Sequence, residues 1–233
     1  MSEQSFPKKI ELIQSKDGSH TLRLPDMNET YHSIHGALNE SRHVFISKGV
    51  SQVNKQEITV FEVGFGTGLN LMTTLEYLVQ NPGISINYIT IEAFPLGNEL
   101  ISKINYNNLF EFDDASTLYQ KAHLINWEKP YTLTPQLNLL KLHGDFTQID
   151  LSKYKVDCIY FDAFAPNKQE EMWDIEVLKK CYDMLTEQGR FVTYCAKGQL
   201  KRDLKSIGFE LKMKPGPPGK REMTTAIKQK REA

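Results

Sequence analysis

Three glycines at alternate positions mark the stretch of this chain that is best suited to binding a ligand. Gly64, Gly66 and Gly68 follow a short apolar, β-branched run, and an apolar-periodic helical pattern follows them. A glycine-rich turn from a strand into a helix brings backbone N–H groups close to a ligand. Glu62 adds a negative charge two residues before the first glycine. The stretch therefore predicts a loop that binds a nucleotide cofactor.

Four carboxylates lie at or just after the ends of predicted strands. They are Glu62, Glu92, Asp145 and Asp162. In open parallel sheets, ligands bind at the carboxyl ends of the strands. Any one of these residues could be a helix cap or a loop residue, but four on one rim favour a binding site.

The spacing of the glycines distinguishes two classes of cofactor. A dinucleotide-binding loop reads G-x-G-x-x-G and holds a pyrophosphate at a helix N-terminus. The sequence Gly-Phe-Gly-Thr-Gly at 64–68 has a different spacing, and Glu62 would repel a pyrophosphate. A cationic ligand without phosphate suits this loop better, and S-adenosyl-L-methionine is such a ligand. We therefore expect S-adenosyl-L-methionine, and neither FAD nor a metal.

Strand and helix patterns alternate after residue 57, which predicts an α/β fold with a mostly parallel sheet covered on both faces. The predicted strands are Ile58–Val63, Ile86–Glu92, Leu137–His143, Val156–Phe161, Arg190–Cys195, Phe209–Lys214 and Arg221–Ile227. The predicted helices are Leu69–Gln80, Asn98–Asn105, Leu109–Ala115, Ser116–Asn126, Glu170–Leu185 and Gln199–Ile207. Thr132–Pro135 reads as a loop.

Residues 1–55 precede this alternation and are predicted to form an N-terminal extension that packs on a catalytic domain, residues 56–233. Ile10–Gln14 and His20–Leu24 flank a Ser-Lys-Asp-Gly turn and predict a hairpin. A short helix is expected around Ala37–Phe45. This extension could cover the site.

Composition and charge limit the possible functions. The 233 residues are 40% hydrophobic, and no apolar run approaches the ~20 residues that span a bilayer, so no membrane partner is expected. The polar start of the chain and three cysteines without metal spacing indicate a cytoplasmic protein with reduced, buried thiols. From residue 197 onward there are 11 Lys and Arg against 4 Asp and Glu. This basic part suggests a polyanion as partner, although a solvated surface is the simpler interpretation.

Several motifs in order resemble a known enzyme family. The glycine motif with its preceding acid resembles the first motif of class I (Rossmann-like) methyltransferases, whose sheet has seven strands. That resemblance implies that Glu92 binds the ribose hydroxyls and that Asp145 meets the adenine amino group. The segments Asp-Ala-Phe-Ala-Pro at 162–166 and Lys-Arg-Glu-Met at 220–223 are similar to the methyltransferase half of the bifunctional tRNA-modification enzyme MnmC.

The resemblance to MnmC implies a substrate. That family methylates the exocyclic amine of 5-aminomethyl-2-thiouridine at the wobble position, in the anticodon region of tRNA. It implies tRNA and not DNA as partner. Because the chain ends at Ala233, we expect the stand-alone form without a fused oxidoreductase domain.

The candidate site residues fall into three groups. Asp162 is the candidate catalytic residue, because a carboxylate can orient the N–H bonds of an amine and accept its proton. The expected cofactor-binding residues are Glu62, Gly64, Gly66, Gly68, Glu92, Asp145 and Asp162. The expected substrate- and tRNA-binding residues are Phe164, Pro166, Lys197, Lys201, Arg202, Lys220 and Arg221, with Lys205 beside them.

Three other functions remain open from the sequence. A methyltransferase of the same fold could act on a small-molecule amine, which the basic C-terminal part disfavours mildly. A nicotinamide-dependent oxidoreductase is disfavoured by the glycine spacing and by Glu62. A non-catalytic tRNA-binding module would have no need for all four carboxylates on the rim.

Overall fold

The computed structural model describes residues 9–217 and 219–230 of the chain. The first eight residues of the predicted extension, Pro218 and the last three residues lie outside the described part. The strands are β1 Glu11–Gln14, β2 His20–Leu24, β3 Glu29–Thr30, β4 Glu57–Val63, β5 Ser85–Glu92, β6 Tyr131–Thr134, β7 Leu137–His143, β8 Val156–Phe161, β9 Leu185–Thr193, β10 Phe209–Pro215 and β11 Glu222–Lys228. The α-helices are α1 Ala37–Ser41, α2 Leu69–Gln80, α3 Asn98–Ile101, α4 Ala115–Leu124, α5 Ile175–Met184 and α6 Gly198–Ile207.

The main sheet has eight described strands in the order β10-β11-β9-β8-β4-β5-β7-β6. The five strands from β9 to β7 are mutually parallel, whereas β11 and β6 pair antiparallel with their neighbours. The carboxyl ends of β4, β5, β7 and β8 therefore lie along one edge of the sheet. This arrangement confirms the predicted α/β fold.

Alternating side chains along β4 supply both faces of the sheet. Ile58 and Val60 join the apolar cluster that contains α2, while Phe61 and Val63 join the cluster that contains α5 and α6. Side chains on a strand point to opposite faces at alternate positions, so a strand covered on both sides is apolar throughout. Phe45, from the N-terminal extension, is buried in the same cluster as α2. The extension and the sheet thus share one core.

The N-terminal extension contains the predicted hairpin. Strands β1 and β2 pair antiparallel, and β3 adds a third strand. A π-helical turn, Arg42–Ser47, continues α1. The division of the chain between residues 55 and 56 stays a prediction.

The sequence prediction was wrong for several elements. Residues 132–134 of the predicted loop Thr132–Pro135 belong instead to β6, which pairs with β7 and adds an eighth strand to the seven expected. The predicted helix Leu109–Ala115 is not formed: residues 109–114 lie outside any α-helix, and Asp114 adopts a left-handed conformation (φ 60°) just before α4 begins at Ala115. The predicted helix Asn98–Asn105 ends at Ile101, and a separate 3-10 turn, Asn105–Asn108, begins at its last residue.

The predicted helix Glu170–Leu185 is two elements. A 3-10 turn, Glu170–Trp173, is separated from α5 by Asp174, whose extended backbone interrupts the helix. Helix α5 ends at Met184, and β9 then begins at Leu185 rather than at Arg190. Residues 187–189 lie within this strand, where its pairing with β8 is irregular.

Candidate active site

The glycine-rich loop lies between β4 and α2. Gly64, Gly66 and Gly68 have φ angles of 90°, 49° and 76°. Side chains rarely adopt such angles, so the sequence needs glycine at these positions. A Cβ atom on Gly66 would also lie 3.1 Å from the ring of Tyr31, which comes from the N-terminal extension. The ring of Tyr31 therefore packs closely against the loop at Gly66.

Thr67, within this loop, is fully buried, and side chains from three other segments of the chain form hydrogen bonds with it. Its hydroxyl lies 2.8 Å from His32 Nε2 and 3.1 Å from Tyr106 Oη. Its carbonyl accepts from Tyr119 Oη and His123 Nε2, both at 3.2 Å. These partners belong to the extension, to the segment after α3 and to α4, so distant parts of the chain fix one loop conformation.

Glu92 ends β5 beside the glycine loop. Its carboxylate accepts hydrogen bonds from the backbone N–H groups of Gly66 and Phe94, each at 2.9 Å. Each carboxylate oxygen has two lone pairs, so each can still accept a hydroxyl of a ligand. Burial raises the pKa of Glu92. A cavity of about 260 Å³ opens beside Gly66 and the residues after Phe94.

Asp145, two residues after β7, is exposed. Its Oδ1 accepts from the backbone N–H and the hydroxyl of Thr147, each at 2.8 Å. These bonds fix the carboxylate at the rim. Its predicted contact with adenine stays a prediction.

Glu62 differs from the other rim carboxylates because it is completely buried. Its Oε2 accepts from the Thr90 hydroxyl at 2.8 Å, and Oε1 has no hydrogen bond among the described residues. Burial raises the pKa of the neighbouring Tyr88 well above its usual value, and the charge of Glu62 raises it further. Burial raises the pKa of Glu62 to about 8. Glu62 thus lies beneath the glycine loop, and its predicted contact with the cofactor stays a prediction.

Asp162 directly follows β8 and is nearly buried, with 9% of its side chain exposed. Its Oδ2 accepts from Asn70 Nδ2 at 2.8 Å. Burial raises the pKa of Asp162 to about 7, against the opposing effect of the Asn70 hydrogen bond. His32 Nδ1 lies 3.9 Å from Oδ2. The structure thus brings Asp162 next to the glycine loop and the N-terminal extension.

Aromatic residues hold the loop after Asp162. Tyr194 donates to the carbonyl of Ala163, and Trp173 donates to that of Phe164, each at 2.8 Å. The Phe164 ring meets Tyr31 edge to face, with 5.3 Å between centroids. Pro166, farther along, is half-buried. Phe164 is therefore placed beside Asp162 and the glycine loop.

The predicted basic residues fall into two kinds. Lys201 Nζ bonds Glu222, and Lys220 Nζ bonds Glu40, at 2.7 and 2.6 Å. Lys220 also lies 4.0 Å from the ring centre of Tyr194 and counts among the charges that act on Asp162. The exposed basic residues are Lys197, Arg202, Lys205 and Arg221, of which Arg202 also bonds the side chain of Gln199. The structure thus associates Lys220 with the site around Asp162.

The sequence analysis did not predict five residues that belong to this site: Tyr31, His32, Glu40, Asn70 and Tyr194. No periodicity or spacing singles them out. Their sequence separation from Asp162 shows why, since Asn70 lies 92 residues from it along the chain. Among the described residues, no group of His, Cys, Asp and Glu has the arrangement of a metal site. None of the described helices has the length and hydropathy that a bilayer crossing needs.

The site fits S-adenosyl-L-methionine. Glu92 has acceptor capacity left for hydroxyls of a ligand, and Glu62 Oε1 is a buried polar atom without a hydrogen bond among the described residues. Among the rim residues described, Glu62, Glu92, Asp145 and Asp162 offer carboxylates, which suit a sulfonium and an ammonium better than a pyrophosphate.

Comparison with known proteins identifies relatives over most of the chain. The MnmC protein of Leptospira interrogans, "tRNA 5-methylaminomethyl-2-thiouridine biosynthesis bifunctional protein MnmC", is 33% identical over 84% of this chain and 32% of its own length. The protein of the same name from Pseudoalteromonas atlantica is 30% identical over 87% of this chain and 31% of its own. The chain thus spans about a third of the length of these relatives.

A solved structure and a family profile agree with these matches. The crystal structure of MNMC2 from Aquifex aeolicus has a TM-score of 0.77 and 25% identity, covering 97% of this chain and 71% of that one. The profile of the family described as "S-adenosyl-L-methionine-dependent methyltransferase" matches residues 111–229, just over half of the chain. With this match, and with a fold and rim that suit the cofactor, the chain belongs to the S-adenosyl-L-methionine-dependent methyltransferases.

Proposed function

We propose that this enzyme methylates the primary amine of 5-aminomethyl-2-thiouridine, or of its 2-oxo form, at the wobble position of tRNA. The product is the 5-methylaminomethyl nucleoside. The observation that carries the proposal is similarity to MnmC proteins, at 30–33% identity over 84–87% of the chain. The buried carboxylate of Asp162 beside the glycine loop supports an amine as acceptor.

S-adenosyl-L-methionine supplies the methyl group, which forms a bond to the amine nitrogen through its lone pair while the electrons of the broken C–S bond stay on sulfur. The glycine loop, Glu92 and Asp145 would hold it, with Glu62 beneath. No further cofactor is proposed, neither FAD nor a metal. Asp162 binds the N–H groups of the acceptor and receives the proton that the nitrogen releases.

The electrostatics of the site favour a neutral amine. A carboxylate raises the pKa of a neighbouring amine, which works against attack through the free lone pair. Burial has the opposite effect on an amine, because it disfavours the charged form. At Asp162 burial outweighs the Asn70 hydrogen bond and the Lys220 charge, and it raises the pKa of the carboxyl group to about 7. The same burial would lower the pKa of an amine bound there.

The surroundings of Asp162 suit a wobble base that has been flipped out of the stacked anticodon loop. Tyr31 and Phe164 present ring surfaces next to the site. Enzymes that act on a nucleobase take it out of the stack and hold it between aromatic side chains. We infer that the wobble base binds against these rings.

The exposed cations on α6 and before β11 would bind tRNA phosphates. These are Lys197, Arg202, Lys205 and Arg221. Lys201 and Lys220 contribute less, because carboxylates already pair with them. The partner is therefore proposed to be the anticodon region of tRNA, and neither DNA nor a membrane. We propose that the enzyme acts in the cytoplasm.

The direct test is methylation of defined substrates. The purified enzyme and methyl-labelled S-adenosyl-L-methionine are incubated with tRNA that carries 5-aminomethyl-2-thiouridine, and separately with the free nucleoside and with simple primary amines. Nucleoside analysis should find the label as 5-methylaminomethyl-2-thiouridine in the tRNA, with far slower reaction of the free compounds. Faster methylation of free amines, or no labelled tRNA, would overturn the proposal.

A further inference from the structure

His32 lies between the glycine loop and Asp162, although it belongs to the N-terminal extension. It follows β3, and its backbone N–H donates to the Thr21 hydroxyl at 3.0 Å. Its side chain is 10% exposed. One ring nitrogen, Nε2, lies 2.8 Å from Thr67 Oγ1, and the other, Nδ1, lies 3.9 Å from Asp162 Oδ2. The reaction proposed above assigns no function to this ring.

A chain of hydrogen bonds determines which nitrogen carries the proton. Tyr106 donates its hydroxyl proton to the carbonyl of His20 at 2.9 Å, since a carbonyl can only accept. Tyr106 Oη must then accept from Thr67, 3.1 Å away. Thr67 has no second proton, so it accepts from His32 Nε2–H.

His32 therefore carries a proton on Nε2, and in its neutral form the ring has a lone pair on Nδ1. Burial lowers the pKa of His32 to about 4, which agrees with a single proton on the ring near neutral pH. The lone pair belongs to the nitrogen on the Asp162 side, 3.9 Å from a carboxylate oxygen. Two acceptors at this separation cannot bond each other, but a nitrogen can lie about 2.9 Å from both.

We propose that Asp162 Oδ2 and His32 Nδ1 form a paired acceptor for the two N–H bonds of a primary amine. When both N–H bonds are used in this way, the lone pair points away from the two acceptors and is free to attack. Neither residue alone fixes that orientation, because one hydrogen bond leaves the amine free to rotate. His32 is thus a residue that contacts and orients the acceptor, and the inference rests on the proposed function.

The paired acceptor also limits the reaction to one methyl group. The neutral product, a secondary amine, has one N–H and leaves one of the two acceptors without a partner. A buried acceptor without a partner weakens binding by about 10- to 100-fold. The enzyme should therefore discriminate against its own product as a substrate.

Two substitutions separate the functions of the two ring nitrogens. In His32→Gln the amide N–H can still donate to Thr67, but the acceptor at Nδ1 is lost. In His32→Asn the amide oxygen can replace Nδ1 as an acceptor, while the bond to Thr67 is lost. Rates are measured in single turnover on tRNA that carries 5-aminomethyl-2-thiouridine and on tRNA that carries 5-methylaminomethyl-2-thiouridine. Affinity for S-adenosylhomocysteine is measured by calorimetry.

For the wild-type enzyme we expect at least about 10-fold faster methylation of the primary amine, by the same unpaired-acceptor argument. His32→Gln should lose about 10-fold on the primary amine and less on the secondary amine, so dimethylated nucleoside appears, and His32→Asn should retain more of the selectivity. Affinity for S-adenosylhomocysteine should stay within about 3-fold in His32→Gln, which keeps the bond to Thr67 in the glycine loop, and should fall further in His32→Asn, which loses that bond.

The inference is overturned if His32→Gln keeps the wild-type ratio of the two rates. It is also overturned if in His32→Gln both rates fall together with the affinity for S-adenosylhomocysteine, since the Nδ1 side of His32 would then serve the cofactor. These outcomes differ from failure of the proposed function, in which the wild-type enzyme transfers no methyl group to tRNA. In that case the same ratio is measured with whichever primary amine the enzyme accepts and with its N-methyl derivative.

Discussion

The glycine-rich loop and the basic surface differ in how they are organised. The basic surface consists of the exposed residues Lys197, Arg202, Lys205 and Arg221, at α6 and just before β11. Thr67, within the loop, is fully buried and is held by four side chains that come from elsewhere in the chain. The basic surface has exposed cations, such as Lys197 and Arg221, that belong to no salt bridge in the described part of the chain. One region is fixed before any ligand binds, and the other is adaptable.

This difference suits the two ligands that are proposed for them. A methyl transfer needs the reacting atoms held in a near-attack geometry, and a misplacement of about 1 Å can cost 100-fold in rate. Phosphate binding depends mainly on the number of charges and on the salt concentration, and it carries little sequence information. Rigidity is therefore concentrated where chemistry needs it, so substitutions in the two regions should differ in the size and kind of their effects.

The largest effect is expected at Asp162, at the rigid end of the comparison. Asp162→Asn keeps the size of the side chain but removes the carboxylate that binds and deprotonates the amine. Turnover should fall by about 100- to 10,000-fold, the range for loss of a general base. Methyl transfer to tRNA is measured in single turnover, with Asp150→Asn at an exposed site as the control. Near-normal turnover would exclude Asp162 from the reaction.

The second effect concerns the glycine loop itself. Gly66→Ala would place a Cβ atom 3.1 Å from the Tyr31 ring at a φ of 49°. Strain of about 1–3 kcal/mol is usual for a side chain in such a conformation, so affinity for S-adenosylhomocysteine should fall by about 10-fold or more. Gly83→Ala is the matched control, because no atom lies within 4 Å of its added Cβ. Calorimetry that finds equal affinities in the two variants would contradict a tightly covered loop.

A smaller effect is expected on the basic surface. Arg202→Glu should weaken tRNA binding by about 3- to 10-fold and reduce its salt dependence, since a phosphate contact is lost. Lys201→Glu should have a smaller effect, because Glu222 already neutralises that lysine. Lys129→Glu, beside the β6 edge at the other end of the sheet, serves as control. Filter binding at several salt concentrations tests this order, and an equal loss at Lys129 would place the tRNA surface elsewhere.

The smallest effect concerns stability and depends on pH. Burial raises the pKa of Glu62 to about 8. Between the unfolded and folded pKa values the folded state holds more protons, so stability falls as pH rises toward 8 and then levels off. Glu62→Gln removes this penalty and should be more stable than the wild type by about 1–3 kcal/mol at about pH 9, but not at about pH 4.

Denaturant unfolding at several pH values measures this difference. Glu57→Gln, at an exposed position of the same strand, should show no such trend. A constant difference between Glu62→Gln and the wild type would indicate that the folded pKa of Glu62 is not raised. The same variant also reports on the predicted cofactor contact, through its affinity for S-adenosylhomocysteine.

Several predictions from sequence are confirmed because they depend on local patterns. Helix α2, β7 and β8 have the predicted bounds, since each has a clear period and a clear stop signal. Strand β6 was missed because four residues between a helix and a turn have too little pattern to identify a strand. Its identity comes from pairing with β7, which supplies the backbone hydrogen bonds.

The sequence by itself determined the glycine loop, the alternation of strands and helices along the chain and the carboxylates at the strand ends. Glycine spacing and period-two apolar runs act over a few residues, so they can be read without knowing the fold. Only the tertiary structure decided that Glu62 is buried beneath the loop, that Lys220 pairs with Glu40 across 180 residues, and that His32 lies beside Asp162. Those arrangements depend on how the N-terminal extension packs over the sheet, and contacts between distant segments leave no periodic trace in the sequence.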